Sequence, residues 1–357
     1  MKIVFIVNGL GLGNSTRCHA IIQRLHSLGA RIEIITSGNG LWYFNNKTEV
    51  ECVHEIETIA YGSKNGSISI GRTFSSILKM TGVLFRNSRR IGEFLDDIEP
   101  DVVVSDSDYN FLPIKCRKIP LVALNNADFV WDSFFEFKDT PQSIRPQFYG
   151  IEMLDYWYHK LIPELVVSPS LVRRLTKVKK NIFAVGPIVR KEYVADPRSG
   201  PVTRAVVMLS GSVFGTPVNL NSRDFNLKID VIGREAPEGR NEEGSLTYHG
   251  KLIDSYPLLK LADVVVVNGG FSAVSEMFWM KKPLVVVPVP RHAEQWVNAK
   301  RIEVLGVGLM ATPQNYQEVL KEIISKIDLF RDAYTSLPAI EDGAAHAAQL
   351  ILNLMRK

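Results

Sequence analysis

The densest run of groups able to do chemistry lies between residues 263 and 299. Asp263-Val264-Val265-Val266-Val267 is an apolar strand-like run that ends in Asn268-Gly269-Gly270-Phe271-Ser272. A strand that breaks at a double glycine and re-enters a helix leaves free backbone N–H groups at the helix start. The positive end of the helix dipole favours a diphosphate there. Glu276 follows Ser272 by four residues, about one helical turn, so both can face one ligand. A carboxylate so placed can accept hydrogen bonds from a ribose diol, though a solvated helix acid would look the same. The next loop, Arg291-His292-Ala293-Glu294-Gln295, sets an acid beside an amide, a good pair for adjacent sugar hydroxyls. His292 alone reads as structural or solvated.

The first half carries a second glycine turn, Asn8-Gly9-Leu10-Gly11-Leu12-Gly13-Asn14-Ser15-Thr16-Arg17. Gly11 and Gly13 let a ligand approach a helix start closely. The spacing excludes the dinucleotide fingerprint: G-x-G-x-G-N replaces G-x-G-x-x-G, and Thr36-Ser37-Gly38 stands where an acid should end the second strand. Asn14 or Ser15 would serve as a plain helix cap. Further on, Ser105-Asp106-Ser107-Asp108 follows an apolar run. An Asp in a closed, poorly hydrated cleft has a raised pKa and can act as a base, which makes Asp106, then Asp108, candidates. The plainer alternative is an Asx turn capping the next helix.

Short apolar runs alternate with helix-period segments, the pattern of parallel α/β units. The first set of strands is expected at 2–8, 31–36, 51–60 (broken), 101–105, 120–124, 164–168 and 181–185, with helices at 15–28 and 72–97. The second set is expected at 204–209, 227–232, 245–248, 263–268, 283–288 and 308–311, with helices at 255–261, 272–280, 294–305, 314–326 and 340–355. The Pro-, Gly- and charge-rich stretch 186–201 suits an exposed linker. The organisation that follows is an N-terminal acceptor-binding domain over 1–190, a donor-binding domain over 191–340, and a C-terminal helix over 341–357 that crosses back to the first. Ligands of open parallel sheets sit outside the carboxyl ends of the strands, so two facing edges suit two substrates.

The chain has 357 residues, 46% of them hydrophobic and 22% charged, ordinary for a soluble globular protein. Its net charge of +4 is too weak to argue for nucleic acid. The excess lies in residues 1–200, with 25 Lys+Arg against 21 Asp+Glu. Three cysteines without a C-x-x-C pair argue against a disulfide framework or a zinc ribbon and for a reducing, cytoplasmic setting. Met1–Val7 reads as a first strand and not as a signal peptide. No apolar run approaches the ~20 residues of a membrane helix. Residues 72–90 hold five basic residues and no acid, interleaved with Phe74, Ile77, Leu78, Val83, Leu84 and Phe85. Such a helix can lie on an anionic membrane surface or pack its apolar side inward. The aromatic stretch 129–137 could line an acceptor pocket, touch lipid or pack as an ordinary helix.

Residues 263–308 resemble the donor-binding signature of GT-B glycosyltransferases that use nucleotide-sugars. These include the lipid II-forming N-acetylglucosaminyltransferases and the UDP-glycosyltransferases. The matching positions are Gly270, Ser272, Glu276, Pro283, Pro290, Glu294, Gln295, Asn298, Ala299, Gly306 and Gly308. Weaker likeness covers Gly9–Gly13, Val185-Gly186-Pro187, Ser210-Gly211-Ser212 and Leu252-Ile253-Asp254. The resemblance implies a GT-B fold, two Rossmann-like open-sheet α/β domains facing across a cleft. It implies a UDP-sugar donor, diphosphate contacts from Ser210, Gly211, Ser212 and the turn at Asn268–Ser272, a backbone contact to uracil near Ile253, ribose on Glu276, and the donor sugar on Glu294 and Gln295. It implies no metal and no cofactor, because amides and a helix dipole offset the leaving diphosphate. Many relatives place a base histidine where this chain has Asn14, and an amide cannot take a proton at neutral pH.

The expected activity is inverting glycosyl transfer to an acceptor hydroxyl, in cell-envelope or glycolipid synthesis, at the inner membrane face. The departure at Asn14 keeps open a hydrolase or 2-epimerase on the same fold, or a non-catalytic nucleotide-sugar-binding subunit. Asp106-Ser107-Asp108 also spells the D-x-D metal motif of GT-A transferases, but two α/β halves with a donor signature in the second argue against that architecture.

Overall fold

The computed structural model describes residues 1–58, 63–64, 67–68, 70–209, 220, 224–236 and 242–356. The expectation for Ser210, Gly211 and Ser212 lies outside them, as do the side chains of 72–80. The first half runs β1 (Lys2–Val7), α1 (Leu12–Ser27), β2 (Arg31–Thr36), α2 (Gly38–Phe44), β3 (Cys52–Glu55), a ribbon of β4 (Ser63–Lys64) and β5 (Ser67–Ile68), and α3 (Ile70–Ile98). It continues through β6 (Val102–Asp106), α4 (Leu112–Cys116), β7 (Leu121–Leu124), α5 (Ala127–Glu136), α6 (Arg145–Gln147), a π-helical turn at Phe148–Glu152, α7 (Met153–Leu161), β8 (Leu165–Pro169), β9 (Thr176–Lys177) and β10 (Ile182–Val185). The second half runs β11 (Arg204–Met208), β12 (Lys228–Val231), β13 (Glu242–Glu243), β14 (Leu246–Tyr248), α8 (Tyr256–Leu261), β15 (Val264–Asn268), α9 (Phe271–Trp279) and β16 (Leu284–Val287). It closes with α10 (Ala293–Val304), β17 (Gly308–Met310), α11 (Tyr316–Ser325), α12 (Ile327–Ser336) and α13 (Gly343–Met355).

Apart from the two-stranded β4-β5 ribbon, the described strands form two sheets, ordered β3-β2-β1-β6-β7-β8-β10-β9 and β13-β14-β12-β11-β15-β16-β17. Within these two sheets, among the described residues, only β9 and β13 run antiparallel to their neighbours, and the β4–β5 ribbon is antiparallel as well. The central strands are apolar throughout because helices cover both faces: β6 is buried at every position, and β15 at all but Asn268. Chain order reverses between β1 and β6 and again between β11 and β15. A crevice opens at such a switch point, and both glycine turns leave the carboxyl ends of switch-point strands, β1 and β15.

One apolar cluster joins the halves, with Phe129, Phe134, Phe148 and Val189 packed among Phe271, Met277, Trp296 and Val297. The aromatic stretch 129–137 is therefore mostly α5, with Phe129 and Phe134 buried and Phe135 exposed. Helix α13 buries Ala344, Ala347, Ala348 and Ile351 in the cluster that holds Ile3, Phe5 and Ile21 of the first half.

The structure corrects the exposed-linker expectation. Gly186–Arg190 and Tyr193 are buried, and only the stretch beyond them is largely exposed. The segment threads the interface: Trp279 Nε1 donates to Tyr193 O at 2.8 Å, and Gly343 N donates to Pro187 O at 3.0 Å. Of the broken strand expected at 51–60, the described residues 51–58 hold only β3, and a second helix, α12, follows α11 directly.

Candidate functional site

The turn after β15 is built by close packing. A Cβ on Gly269 would stand 2.5 Å from Gln295 O, so only glycine lets α10 approach this turn. Asn298 Nδ2 donates to Gly269 O at 2.9 Å, and Asn268 Nδ2 donates to Val287 O at 3.0 Å. These two amides fix the turn from both neighbouring elements. Gly270 is the N-cap of α9 in extended conformation, and the first helical bond runs from Val274 N to Gly270 O. The amides of the first turn thus have no intrahelical acceptor and suit an anion. Phe271 contributes backbone only, because its ring is buried edge-on to Phe129 with centroids 6.4 Å apart.

The two glycine turns touch. Ser272 Oγ donates to Gly13 O at 2.7 Å, so the N-termini of α1 and α9 meet across the cleft. Gly11 caps α1, with open space where a Cβ would stand. Asn14 is half-buried, its Nδ2 donating to Asn8 O and its Oδ1 accepting from Arg17 Nη2, both at 3.5 Å. His19, further along α1, is buried with Nδ1 2.9 Å from Tyr43 Oη.

Asp106 lies beneath the turn with no exposed surface. Arg17 grips it with Nε at 2.8 Å from Oδ2 and Nη2 at 2.5 Å from Oδ1. The Cys18 thiol, pushed up by burial and by the Asp106 charge, donates to Oδ2 at 3.4 Å. Although burial disfavours its charge, the Arg17 guanidinium is held above its ordinary range by Asp106. A base must reach its proton, and this carboxylate is sealed in an ion pair. Asp108 differs: burial raises its pKa, no cation among the described residues is paired with it, and it accepts from Asn110 N at 2.9 Å in an Asx turn.

Glu276 is buried, and burial raises its pKa despite a strong partner. Arg190, from the threaded segment, donates to Glu276 Oε1 from Nε at 3.0 Å and lies 2.9 Å from it through Nη2. Arg190 also donates to Tyr193 Oη. Gln295 turns back on its own loop, with Oε1 accepting from Val289 N at 2.9 Å, which leaves Nε2 as a donor. Glu294 is half-buried and reaches across the cleft to Asn126 Nδ2 at 3.4 Å. His292 caps α10 with a buried, unpartnered Nδ1, and burial lowers its pKa, so it is neutral at pH 7. Ile253 is half-buried, two residues before Ser255, whose Oγ is 3.3 Å from Tyr193 Oη.

Sequence reasoning missed Arg17, Arg190, Asn126 and Glu152. Glu152 is buried in the π-helical turn, its Oε1 accepting from Gln147 Nε2 at 2.7 Å. Gln147 Oε1 in turn accepts from Ala293 N at 2.9 Å, which ties the turn to the start of α10. Burial, then the charge of Glu294, pushes the Glu152 carboxyl up to about 8.

Two open α/β sheets whose switch points meet across a cleft, with a helix N-terminus on each side, define a GT-B glycosyltransferase. The profile of glycosyl transferase family 1 matches residues 1–328, and the chain belongs to that family. An uncharacterized glycosyltransferase of Methanosarcina acetivorans is 26% identical over 349 residues, covering 92% of this chain and 90% of its own. The UDP-N-acetylglucosamine–N-acetylmuramyl-(pentapeptide) pyrophosphoryl-undecaprenol N-acetylglucosamine transferase of Lachnoclostridium phytofermentans is 22% identical over 341 residues, covering 90% and 86%. Among solved structures, the spinosyn forosaminyltransferase SpnP superposes with a TM-score of 0.65 at 13% identity over 100% of both chains. The Streptomyces glycosyltransferase SsfS6, complexed with thymidine diphosphate, gives 0.57 at 14% identity over 99% of both.

Proposed function

We propose that this glycosyltransferase moves a hexosyl group, with inversion and without a metal, from a UDP-sugar to a hydroxyl of a lipid-linked acceptor. The observation that carries the reading is the start of α9, opened by Gly269-Gly270, facing the glycine turn of α1 with Glu276 one turn along. The diphosphate lies against the first-turn amides of α9, whose dipole offsets the leaving group's charge. Glu276 takes the ribose, Glu294 and Gln295 Nε2 the sugar, and the backbone near Ile253 the base. A relative named for UDP-N-acetylglucosamine and a neighbour holding thymidine diphosphate support a pyrimidine nucleoside diphosphate as leaving group. Of the two acids raised by the sequence, Asp108 is assigned the proton, because burial raises its pKa while both carboxylate oxygens of Asp106 are engaged by Arg17. Asp106 and Asn14 then position Arg17 and the start of α1.

A lipid-linked acceptor draws support from the same relative's name and from an exposed apolar face on α7. The basic segment of α3 supports it less than its composition suggests. Arg86 is bonded to Glu57 at 2.6 Å and Arg89 to Glu93 at 3.0 Å, so two of its charges are already matched.

The test is nucleoside diphosphate release and product analysis across UDP-, GDP- and dTDP-sugars, with and without lipid-linked acceptors. Transfer from a UDP-sugar with inverted anomeric configuration is expected. Free sugar or an epimer formed without acceptor overturns the reading. Glu276→Gln, which keeps a hydrogen-bonding partner for Arg190, should weaken UDP binding about tenfold by removing a charge-assisted contact. Unchanged affinity overturns the ribose assignment.

A further inference from the structure

We propose that Glu33, Cys52 and His54 form a binding site for a zinc-like divalent ion at the outer edge of the first sheet, independent of the transfer site. Cys52 and His54 alternate on the edge strand β3, so both side chains stand on one face. Glu33 of β2 pairs in register with Cys52, which brings its carboxylate to the same face. The carboxylate oxygen, thiol sulfur and ring nitrogen of the three all lie within 4.8 Å of one another. His54 Nε2 is already 2.7 Å from Glu33 Oε2. The His54 ring rests on Phe94 of α3 with centroids 4.7 Å apart, which restricts its rotation. Cys52 is exposed, so an ion can enter from solvent.

The donor set decides the ion. One sulfur, one imidazole nitrogen and one carboxylate oxygen suit a borderline-soft cation such as zinc and do not suit magnesium or calcium. Ligand bonds of 2.0–2.3 Å place tetrahedral donors about 3.2–3.8 Å apart. The His54–Glu33 pair therefore opens by roughly half an ångström, and the sulfur closes in. The Cys52 thiol releases its proton to solvent, and neutral His54 carries its proton on Nδ1 so that Nε2 is free to bind. Water fills the fourth position. Glu33 stands three residues before the end of β2, about 10 Å of strand from the cleft edge. The ion would clasp the edge strand β3 to β2.

The test uses the full chain, stripped with EDTA and titrated with Zn2+ against a chromophoric chelator, and with Co2+ as a spectroscopic probe. One equivalent should bind, with a thiolate-to-cobalt charge-transfer band and a rise in thermal midpoint on adding Zn2+. Cys52→Ser, at an exposed position, should abolish the band. His54→Gln should weaken Zn2+ affinity at least tenfold. Cys116→Ser, at the other exposed cysteine, should behave as the parent. No stoichiometric binding, or a band that survives Cys52→Ser, overturns the proposal.

Discussion

At the scale of single residues, Asp106 shows how burial changes the meaning of a motif. An acid after an apolar strand invites a catalytic role, and the sequence cannot show that a guanidinium eighty-nine residues away in chain order grips it. Arg17 and Asp106 are both buried, so deleting one charge strands the other. Asp106→Asn should therefore cost about 3–5 kcal/mol of folding stability, read as a lowered urea midpoint. A neutral result would mean that water reaches the pair. The same logic separates what was legible at the site from what was not. Gly269, Gly270, Glu276 and Glu294 stand out because local spacing alone aligns them with a helix start. Arg190 does not, because its value comes from Glu276, which joins it only when the chain threads between the halves.

Elements divide in a similar way. Long strands such as β1, β6 and β15 were legible as apolar runs, since both faces are covered. Helices α1, α9 and α10 start within a few residues of where glycine turns and periodicity place them. Short α2 and α4 and the π-helical turn at Phe148–Glu152 leave no periodic trace, being too brief for one. That turn nevertheless has a measurable property. The folded chain holds a proton on Glu152 up to about pH 8, whereas a free carboxyl releases it near 4.3. Folding thus binds an extra proton between those values, and this group's contribution to stability falls as pH rises through that window. The urea midpoint of the parent should drop relative to Glu152→Gln between pH 5.5 and 8. Glu294→Gln, which removes the second cause of the shift, should narrow the drop. Parallel profiles for parent and Glu152→Gln would show that Glu152 is ionised in the fold.

At the scale of the whole molecule the question is how the proposed lipid-linked acceptor would be met, since among the described residues no helix is long and apolar enough to cross a membrane. On α7, Leu154, Trp157 and Leu161 are 62%, 42% and 70% exposed, and their spacing puts them on one helical face. Tyr149 and Ile151, just before α7, are exposed as well. Lys160 Nζ sits 4.3 Å from the Trp157 ring centroid, the pairing of an aromatic body with a cation that suits a headgroup boundary. Tyr109 of the β6–α4 loop, one residue after Asp108, hydrogen-bonds Asp155 Oδ1 at 2.7 Å, which ties α7 to the acceptor side of the proposed site. Sedimentation with vesicles containing anionic lipid should pull down the parent chain. The pair Trp157→Ala and Leu161→Ala should release most of it while leaving transfer to a short, water-soluble acceptor analogue near the parent rate. If the double variant sediments as well as the parent, α7 does not seat the enzyme on lipid. If it loses transfer to the soluble analogue as well, its face belongs to the acceptor pocket and not to the membrane contact.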